Sequence, residues 1–309
     1  GLGFWAGLPW ALKMPLGHLV DLIWKHKNYM VYFGASIIAA SLLIMHGLIG
    51  HTQTMATILP VETWYVVSVI LAPIGFVVQD VVADAMTVEA VPKYETDGTA
   101  FSEKDIKTMH TTMQTLGRFA IISGSMLVAL INVVLFSGTE TLNEEQRVAL
   151  YADVYVYALV IPLVSVLGVF LAKFLSYRTQ KAAILQEQDV PASIPHERNN
   201  TEINWSILLG SLVFVIFSVG IGVSNIPFSQ EIVFGGSATI ILFLMRSLMK
   251  YMSASQRNTI IGTAVIIFVF RAMPSPGPGM TWFEIDELFF DEYFFSILSL
   301  LASALTLVG

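Results

Sequence analysis

Residues 30–50 read MVYFGASIIAASLLIMHGLIG, a run without Asp, Glu, Lys or Arg. The charge-free interval around it extends from Lys27 to Glu62. At about 1.5 Å per residue, such a run crosses the roughly 30 Å hydrocarbon core of a bilayer as one α-helix. Strands of a membrane β-barrel are shorter and alternate in polarity, which this run does not. The stretch therefore predicts a membrane-spanning helix.

The composition of the whole chain agrees with this prediction. Of 309 residues, 55% are hydrophobic and 13% are charged, and the mean hydropathy is +0.70. Soluble domains carry about 25% charged residues, so most of this surface is expected to face lipid. A net charge of −7 argues against nucleic-acid binding. The absence of cysteine excludes disulfides, thiolate metal sites and cysteine nucleophiles.

Eight further apolar runs follow the same pattern, so we expect an all-α, polytopic membrane helix bundle of about nine transmembrane helices. The additional predicted spans are 1–22, 63–85, 109–137, 152–173, 204–224, 230–250, 258–273 and 292–309. Twelve of the 16 Lys and Arg residues fall on one set of alternating span ends. The positive-inside rule assigns those ends to the cytoplasm. The chain begins without Met inside an apolar stretch, and we expect it to be an internal piece of a longer membrane protein.

A few charges lie inside the predicted spans, where each costs a few kcal/mol or more and marks a candidate functional residue. Lys13 lies near the middle of the first span, and Gly17 and Asp21 follow it on the same helix face. Asp80 and Asp84 also share one face, four residues apart, of the third span.

The fourth span adds a polar stripe that contains Gln114 and Arg118. If these faces converge, cations and carboxylates from three helices meet, and a carboxylate there is suited to take up a proton. The alternative is that the charges form ion pairs that only hold helices together.

No motif for a nucleophilic, phosphate-binding or metal-dependent enzyme is present, since G-x-S-x-G, P-loop and H-E-x-x-H patterns are all missing. The scattered histidines also lack metal-ligand spacing. We therefore expect a protein that is not an enzyme and that holds neither a cofactor nor a metal ion.

Several motifs resemble those of one transporter family. The stretch from Leu8 to Lys13 (LPWALK), with Gly17 and Asp21 behind it, is similar to the folate–biopterin transporter family of the major facilitator superfamily. So is 79–89, QDVVADAMTVE, which is the most specific part of the match. Gly117-Arg118, 270–274 (FRAMP) and 281–283 (TWF) extend it over most of the chain.

This resemblance, to the bacterial type of the family, implies a bundle of major facilitator type and a division of the chain. Residues 1–176 would form helices two to six of the N-terminal bundle, and 177–203 a cytoplasmic loop between bundles. Residues 204–250 would form an extra transmembrane hairpin, and 251–309 would begin the C-terminal bundle. Helix one and the last helices would lie outside this chain.

The resemblance and the charge pattern together lead to a functional expectation. We expect a proton-coupled secondary active transporter of a folate- or pterin-like anion, in the bacterial inner (cell) membrane, with protons, a small-molecule substrate and the lipid bilayer as partners. Its expected residues fall into three roles: substrate binding by Lys13, Gln114, Arg118 and Arg271, proton coupling by Asp80 and Asp84, and cytoplasmic gating by Gly17, Asp21 and Lys25.

Two alternatives remain open. One is a transporter of another solute, such as a muropeptide or a drug, since the Gln79-Asp80 pair is also similar to muropeptide-permease-like and acetyl-coenzyme-A-transporter-like relatives. The other is a membrane receptor or assembly factor that keeps the fold without transporting. A receptor would tolerate loss of titration at the aspartate pair.

Overall fold

The computed structural model describes residues 9–10, 13–92, 99–185, 205–223, 226–249, 252–273 and 277–308. Every regular element in these ranges is helical. The twelve α-helices are α1 (Lys13–Leu22), α2 (Lys27–Gly50), α3 (Thr52–Ala56), α4 (Val61–Glu89), α5 (Glu103–Phe136), α6 (Glu144–Tyr157), α7 (Val160–Leu185), α8 (Trp205–Val223), α9 (Ser229–Met249), α10 (Ala254–Arg271), α11 (Pro278–Asp286) and α12 (Glu292–Val308). Two short 3-10 helices, Trp24–His26 and Thr139–Thr141, accompany them. The prediction of an all-helical chain is confirmed for this part of the protein.

Four helical stretches in the described ranges are long and apolar enough to cross a membrane. They are Lys27–Gly50, Val61–Val88, Glu103–Thr141 and Glu144–Leu175. Glu292–Val308 is apolar but shorter. Large apolar side chains on these helices stay uncovered, among them Ile121 at 69% and Val134 at 68% exposure, as expected for lipid-facing surfaces. The chain is thus a helical membrane protein.

The sequence predicted nine spans, whereas the described residues supply four. Helices also occur at the other predicted positions; α8 with 19 residues and α9 with 21 residues have the length of a span, whereas α12 with 17 residues is shorter. Helix α10 begins with the polar residues Gln256, Arg257 and Asn258, which lowers its apolar character. Of the first predicted span, the ten-residue helix α1 is described, and it covers only about 15 Å. The count of nine stays a prediction.

The described helices belong to two compact units. The first comprises 1–118 and 140–216, and the second comprises 119–139 and 217–309. In the first unit, α2 is the central helix and packs against α4, α6 and α7. Helix α1 packs against α4. Val20 of α1, Met30 and Val31 of α2, and Val77, Val78, Val81 and Val82 of α4 form its apolar core.

Helices α2 and α4 run antiparallel and touch at their backbones. A Cβ atom added to Gly34 would lie 2.8 Å from the carbonyl oxygen of Gly75, and one added to Gly75 would lie 2.7 Å from the oxygen of Gly34. Such distances leave no room for a side chain, so glycine is required at both positions. Small residues at helix interfaces allow this close approach in membranes.

Ser41 follows Gly34 by seven residues on α2, and Ser68 precedes Gly75 by seven residues on α4. The two serines exchange hydrogen bonds. The Ser41 hydroxyl donates to the Ser68 carbonyl at 2.8 Å, and the Ser68 hydroxyl donates to the Ser41 carbonyl at 2.9 Å. Both side chains are buried. A seven-residue spacing is two helical turns, so the serine and glycine pairs lie on the same face of each helix and fix the register between them.

Polar side chains then attach α6 and α7 to this pair. The His46 Nδ1 atom lies 2.9 Å from the carbonyl oxygen of Ala152 on α6. Gln79 donates from Nε2 to the carbonyl oxygen of Val31 on α2 at 3.2 Å, and its Oε1 accepts from the Ser165 hydroxyl on α7 at 3.4 Å. Gln79 therefore connects three helices.

We expect Gly75→Ala to lower the free energy of unfolding by about 1–3 kcal/mol, because the methyl group forces α2 and α4 apart. Gly168→Ala on α7 is the matched control, since a Cβ atom there would meet nothing within 4 Å. The measurement is thermal unfolding in detergent. Equal melting temperatures for the two variants would contradict the backbone contact.

We also expect Ser41→Ala and Ser68→Ala to be energetically coupled by about 0.6 kcal/mol, the mean found for hydrogen bonds between membrane helices. The reason is that each hydroxyl has the other serine as its partner. A double-mutant cycle on unfolding free energies measures this coupling, and strictly additive effects would argue against the exchange of hydrogen bonds.

Candidate functional site

The candidate site combines the first residue of α1 with the C-terminal half of α4. Lys13 Nζ lies 2.7 Å from Asp80 Oδ2 and 2.8 Å from Asp84 Oδ2. The two aspartates stand one helical turn apart on α4, so their carboxylates reach the same ammonium group. We call Lys13, Asp80 and Asp84 the charged cluster.

The cluster is only partly covered by protein. The exposed fractions of the side chains are 40% for Lys13, 24% for Asp80 and 62% for Asp84. With all three groups ionised, its formal charge is −1. Charged side chains in membrane segments face the interior of a bundle or a water-filled cavity, so the exposed side of this cluster is not expected to face lipid.

Packing of the opposite face of α4 holds the cluster in place. Val77 and Val82 are fully buried and Val81 is 4% exposed. Helix α1 packs on this face, since a Cβ atom added to Gly17 would lie 4.0 Å from Val81 Cγ1, an ordinary van der Waals contact. The rotation of α4 about its axis is thereby fixed, and it directs Asp80 and Asp84 toward α1.

Two aromatic residues that the sequence analysis did not select adjoin the cluster. The ring of Trp10 lies 5.7 Å from Lys13 Nζ, and the centroids of the Trp10 and Phe76 rings are 5.7 Å apart at 60°. Phe76 precedes Asp80 by one helical turn. That four-residue spacing from Asp80 is the signal in the sequence that could have placed Phe76 beside the cluster.

Among the other predicted site residues of the first unit, Gln114, Arg118 and Asp21 are not ion-pair partners of the cluster in the described part of the chain. Gln114 and Arg118 are exposed on α5, and within the described residues no ion pair or hydrogen bond connects them with Lys13, Asp80 or Asp84. Arg271 is exposed at the end of α10, in the second unit. Asp21 lies on α1 but is not a partner of Lys13. The side chain of Lys25 lies outside the described part.

The structure offers no obvious metal centre in the ranges it describes, where no group of three or more His, Asp or Glu residues is arranged to hold an ion. The charged cluster itself is a two-carboxylate site already occupied by an ammonium group. A pair of carboxylates of this kind can accept a proton or another hydrogen-bond donor in place of the ammonium group.

We expect Lys13→Met to destabilise the protein by about 1–3 kcal/mol, between the values for exposed and fully buried ion pairs, because two carboxylates lose their shared counter-charge. The triple variant Lys13→Met/Asp80→Asn/Asp84→Asn should regain most of this loss. Lys173→Met, at an exposed lysine of α7, is the matched control. Thermal unfolding in detergent measures all three, and a triple variant less stable than Lys13→Met would contradict the pairing.

In comparisons with known proteins, no family model, no curated protein and no solved structure matches the chain. The resemblance to the folate–biopterin transporter family and the roles expected of its residues therefore stay predictions.

Proposed function

We propose that the protein is a proton-coupled secondary active transporter of major facilitator type that moves a folate- or pterin-like anion by alternating access. In this proposal it is a multi-pass protein of the bacterial inner membrane, with about nine spans in this chain, and it has no catalytic activity. The observation that carries the proposal is the charged cluster, in which Lys13 lies within 2.8 Å of two carboxylates on a helix apolar enough to span a membrane.

The position of the cluster supports a transport role. Asp80 lies nine residues, or about 14 Å, before the end of α4 at Glu89, so a bilayer centred on this 29-residue helix would enclose it in the hydrocarbon core. Ion pairs at that depth are costly, and intramembrane carboxylates commonly form proton relays in transporters.

The charge balance of the cluster supplies a coupling mechanism. While both carboxylates are ionised, they occupy Lys13 and repel an incoming anion. A proton on Asp84, the more exposed of the two, neutralises the cluster and frees one donor of Lys13 for a substrate carboxylate. Proton binding and anion binding then favour each other, and this coupling is reciprocal.

Arg118, Gln114 and Arg271 enter this proposal as further substrate ligands, and Gly17, Asp21 and Lys25 as a gating motif on the cytoplasmic side. Arg118 and Arg271 are both exposed, so each is accessible to a carboxylate.

A second candidate is a non-transporting receptor or assembly factor. Its support is that Lys13 already has two partners at 2.7 and 2.8 Å, a geometry that also suits a clamp between α1 and α4. A transporter of a muropeptide-like solute or a drug would use the same cluster with a different substrate.

The test is uptake of labelled folate into proteoliposomes that contain a pH-sensitive dye. We expect Asp84→Asn to reduce uptake driven by a pH gradient at least tenfold, equivalent to about 1.4 kcal/mol, because the coupling proton has lost its acceptor. Exchange of labelled for unlabelled folate, which needs no net proton movement, should be retained. Lys13→Ala should reduce both activities.

Asp153→Asn on α6 and Lys173→Ala on α7 are the matched controls, since both wild-type side chains are exposed and lie outside the cluster. Unchanged uptake and unchanged proton coupling in both cluster variants would reject the assignment. A wild-type protein that transports another solute of a panel, but not folate, would favour the first alternative. Binding without any transport would favour the receptor.

A further inference from the structure

Helix α7 returns along α2 toward the end at which α2 begins. His46, near the end of α2, contacts the carbonyl oxygen of Ala152 on α6 at 2.9 Å. Tyr32, near the start of α2, contacts α7 instead, with 6.0 Å between its ring centroid and that of Phe170. The chain from 152 to 170 therefore runs antiparallel to α2, and the residues after Phe170 lie level with the first turns of α2 or beyond them.

Cations gather at this end, where both apolar stretches stop. The span that contains α2 begins at Lys27, and the one that contains α7 ends at Leu175. Lys27 precedes Tyr32 by five residues, or about 8 Å, and Arg178 follows Phe170 by eight residues, or about 12 Å. Both cations thus lie on the same side of the ring contact, at the polar boundary of the two spans. The positive-inside rule assigns this boundary to the cytoplasmic surface.

Aromatic rings contact these cations without neutralising them. The Lys27 Nζ atom lies 3.7 Å from the centroid of the Trp24 ring, and Arg178 Cζ lies 5.8 Å from that of the Phe174 ring. A ring attracts a cation through its quadrupole and carries no net charge. Arg178 and Lys181 are exposed, and in the described part of the chain neither forms a salt bridge with a carboxylate. We call Trp24, Lys27, Phe174, Arg178 and Lys181 the basic–aromatic site.

The surface next to these cations is apolar and belongs to the spans. Phe170 and Phe174 lie four residues apart on one face of α7, and each is 55% exposed. Phe33 on α2 is 60% exposed. A molecule that covers this whole surface needs apolar chains beside the rings and a negative charge beside Arg178.

An anionic phospholipid has both parts in that order. Its acyl chains lie in the hydrocarbon core beside α2 and α7, and its phosphate lies at the polar boundary, where the cations are. A soluble anion would contact the cations and leave the rings uncovered. Basic pockets between transmembrane helices on the cytoplasmic side bind anionic headgroups, and each nearby Lys or Arg adds to the attraction.

We propose that the basic–aromatic site binds an anionic phospholipid of the cytoplasmic leaflet. The headgroup phosphate contacts Lys27, Arg178 and Lys181. The acyl chains extend along Tyr32 and Phe170. No residue of the charged cluster takes part, so the inference goes beyond the proposed function and does not depend on transport.

The experiment titrates the purified chain in detergent with two lipids that have the same acyl chains. Phosphatidylglycerol carries a net negative charge, whereas phosphatidylcholine has a phosphate but is net neutral. Native mass spectrometry counts the bound lipids and gives an apparent Kd for each. We expect phosphatidylglycerol to bind at least tenfold more tightly, because only this lipid brings net negative charge to the cations.

Removal of two cations tests their part in the site. Arg178→Gln/Lys181→Gln should weaken phosphatidylglycerol binding at least fivefold and leave phosphatidylcholine binding within twofold. The charge-conserving variant Arg178→Lys/Lys181→Arg should keep phosphatidylglycerol affinity within threefold. Lys104→Gln/Lys107→Gln is the matched control, since it removes two exposed cations of α5 that are predicted on the same side of the membrane. Its phosphatidylglycerol affinity should stay within twofold of the wild type.

Removal of two rings tests the apolar part. Phe170→Ala/Phe174→Ala should weaken both lipids at least threefold, because their acyl chains lose the same apolar contacts. Phe268→Ala/Phe270→Ala removes two exposed rings of α10 in the second unit and should change neither affinity. Thermal unfolding confirms that each variant is folded.

Three results would overturn the inference. The first is equal binding of the two lipids to the wild type. The second is an equal loss of phosphatidylglycerol affinity in the α5 control and in Arg178→Gln/Lys181→Gln, which would indicate general surface electrostatics. The third is binding of glycerophosphoglycerol, the headgroup without acyl chains, as tight as that of the lipid, because the cations would then serve a soluble phosphate ester.

Discussion

The contact between the backbones of α2 and α4 is the constraint on which the rest of the first unit depends. Glycine at 34 and 75 lets the two helices approach until a methyl group no longer fits between them. The serine pair two turns away then sets the register, because each hydroxyl donates to the carbonyl oxygen of the other serine. Once distance and register are fixed, the side of α4 that remains open is fixed as well.

That geometry explains how an apolar helix can present charges reliably. Gln79 lies next to Asp80 in the chain but points to α2 and α7, where it bonds to Val31 and Ser165. The same helix thus uses one polar residue for attachment and its neighbour for ion pairing. A rotation of α4 that moved Asp80 away from Lys13 would also break the bonds of Gln79, so the two arrangements support each other.

The run lengths in the sequence predicted the long helices α2, α4 and α5, whereas the single span predicted over 152–173 is divided between α6 and α7. The four-residue spacing correctly placed Asp80 and Asp84 on one face. The sequence left open whether Lys13 contacts both carboxylates, because the spacing of residues within one helix does not tell which other helix packs against it. Arg118 shows this limit: its helix was predicted, yet the structure leaves it apart from the cluster. The position of Phe76 beside the cluster could have been predicted from its four-residue spacing from Asp80. The contact of Trp10 with Phe76 could not, because it depends on how separate parts of the chain pack together.

The reciprocal bonds of Ser41 and Ser68 bear on how the chain enters the membrane. A lone serine in a bilayer exposes its hydroxyl to hydrocarbon or turns it back on its own helix, whereas paired helices satisfy both hydroxyls at once. We therefore expect the free energy of transfer into the bilayer to be more favourable for α2 and α4 as a paired hairpin than for two separate helices. Biogenesis of this protein would then begin with α2 and α4, and α1, α6 and α7 would assemble on a hairpin that is already in register.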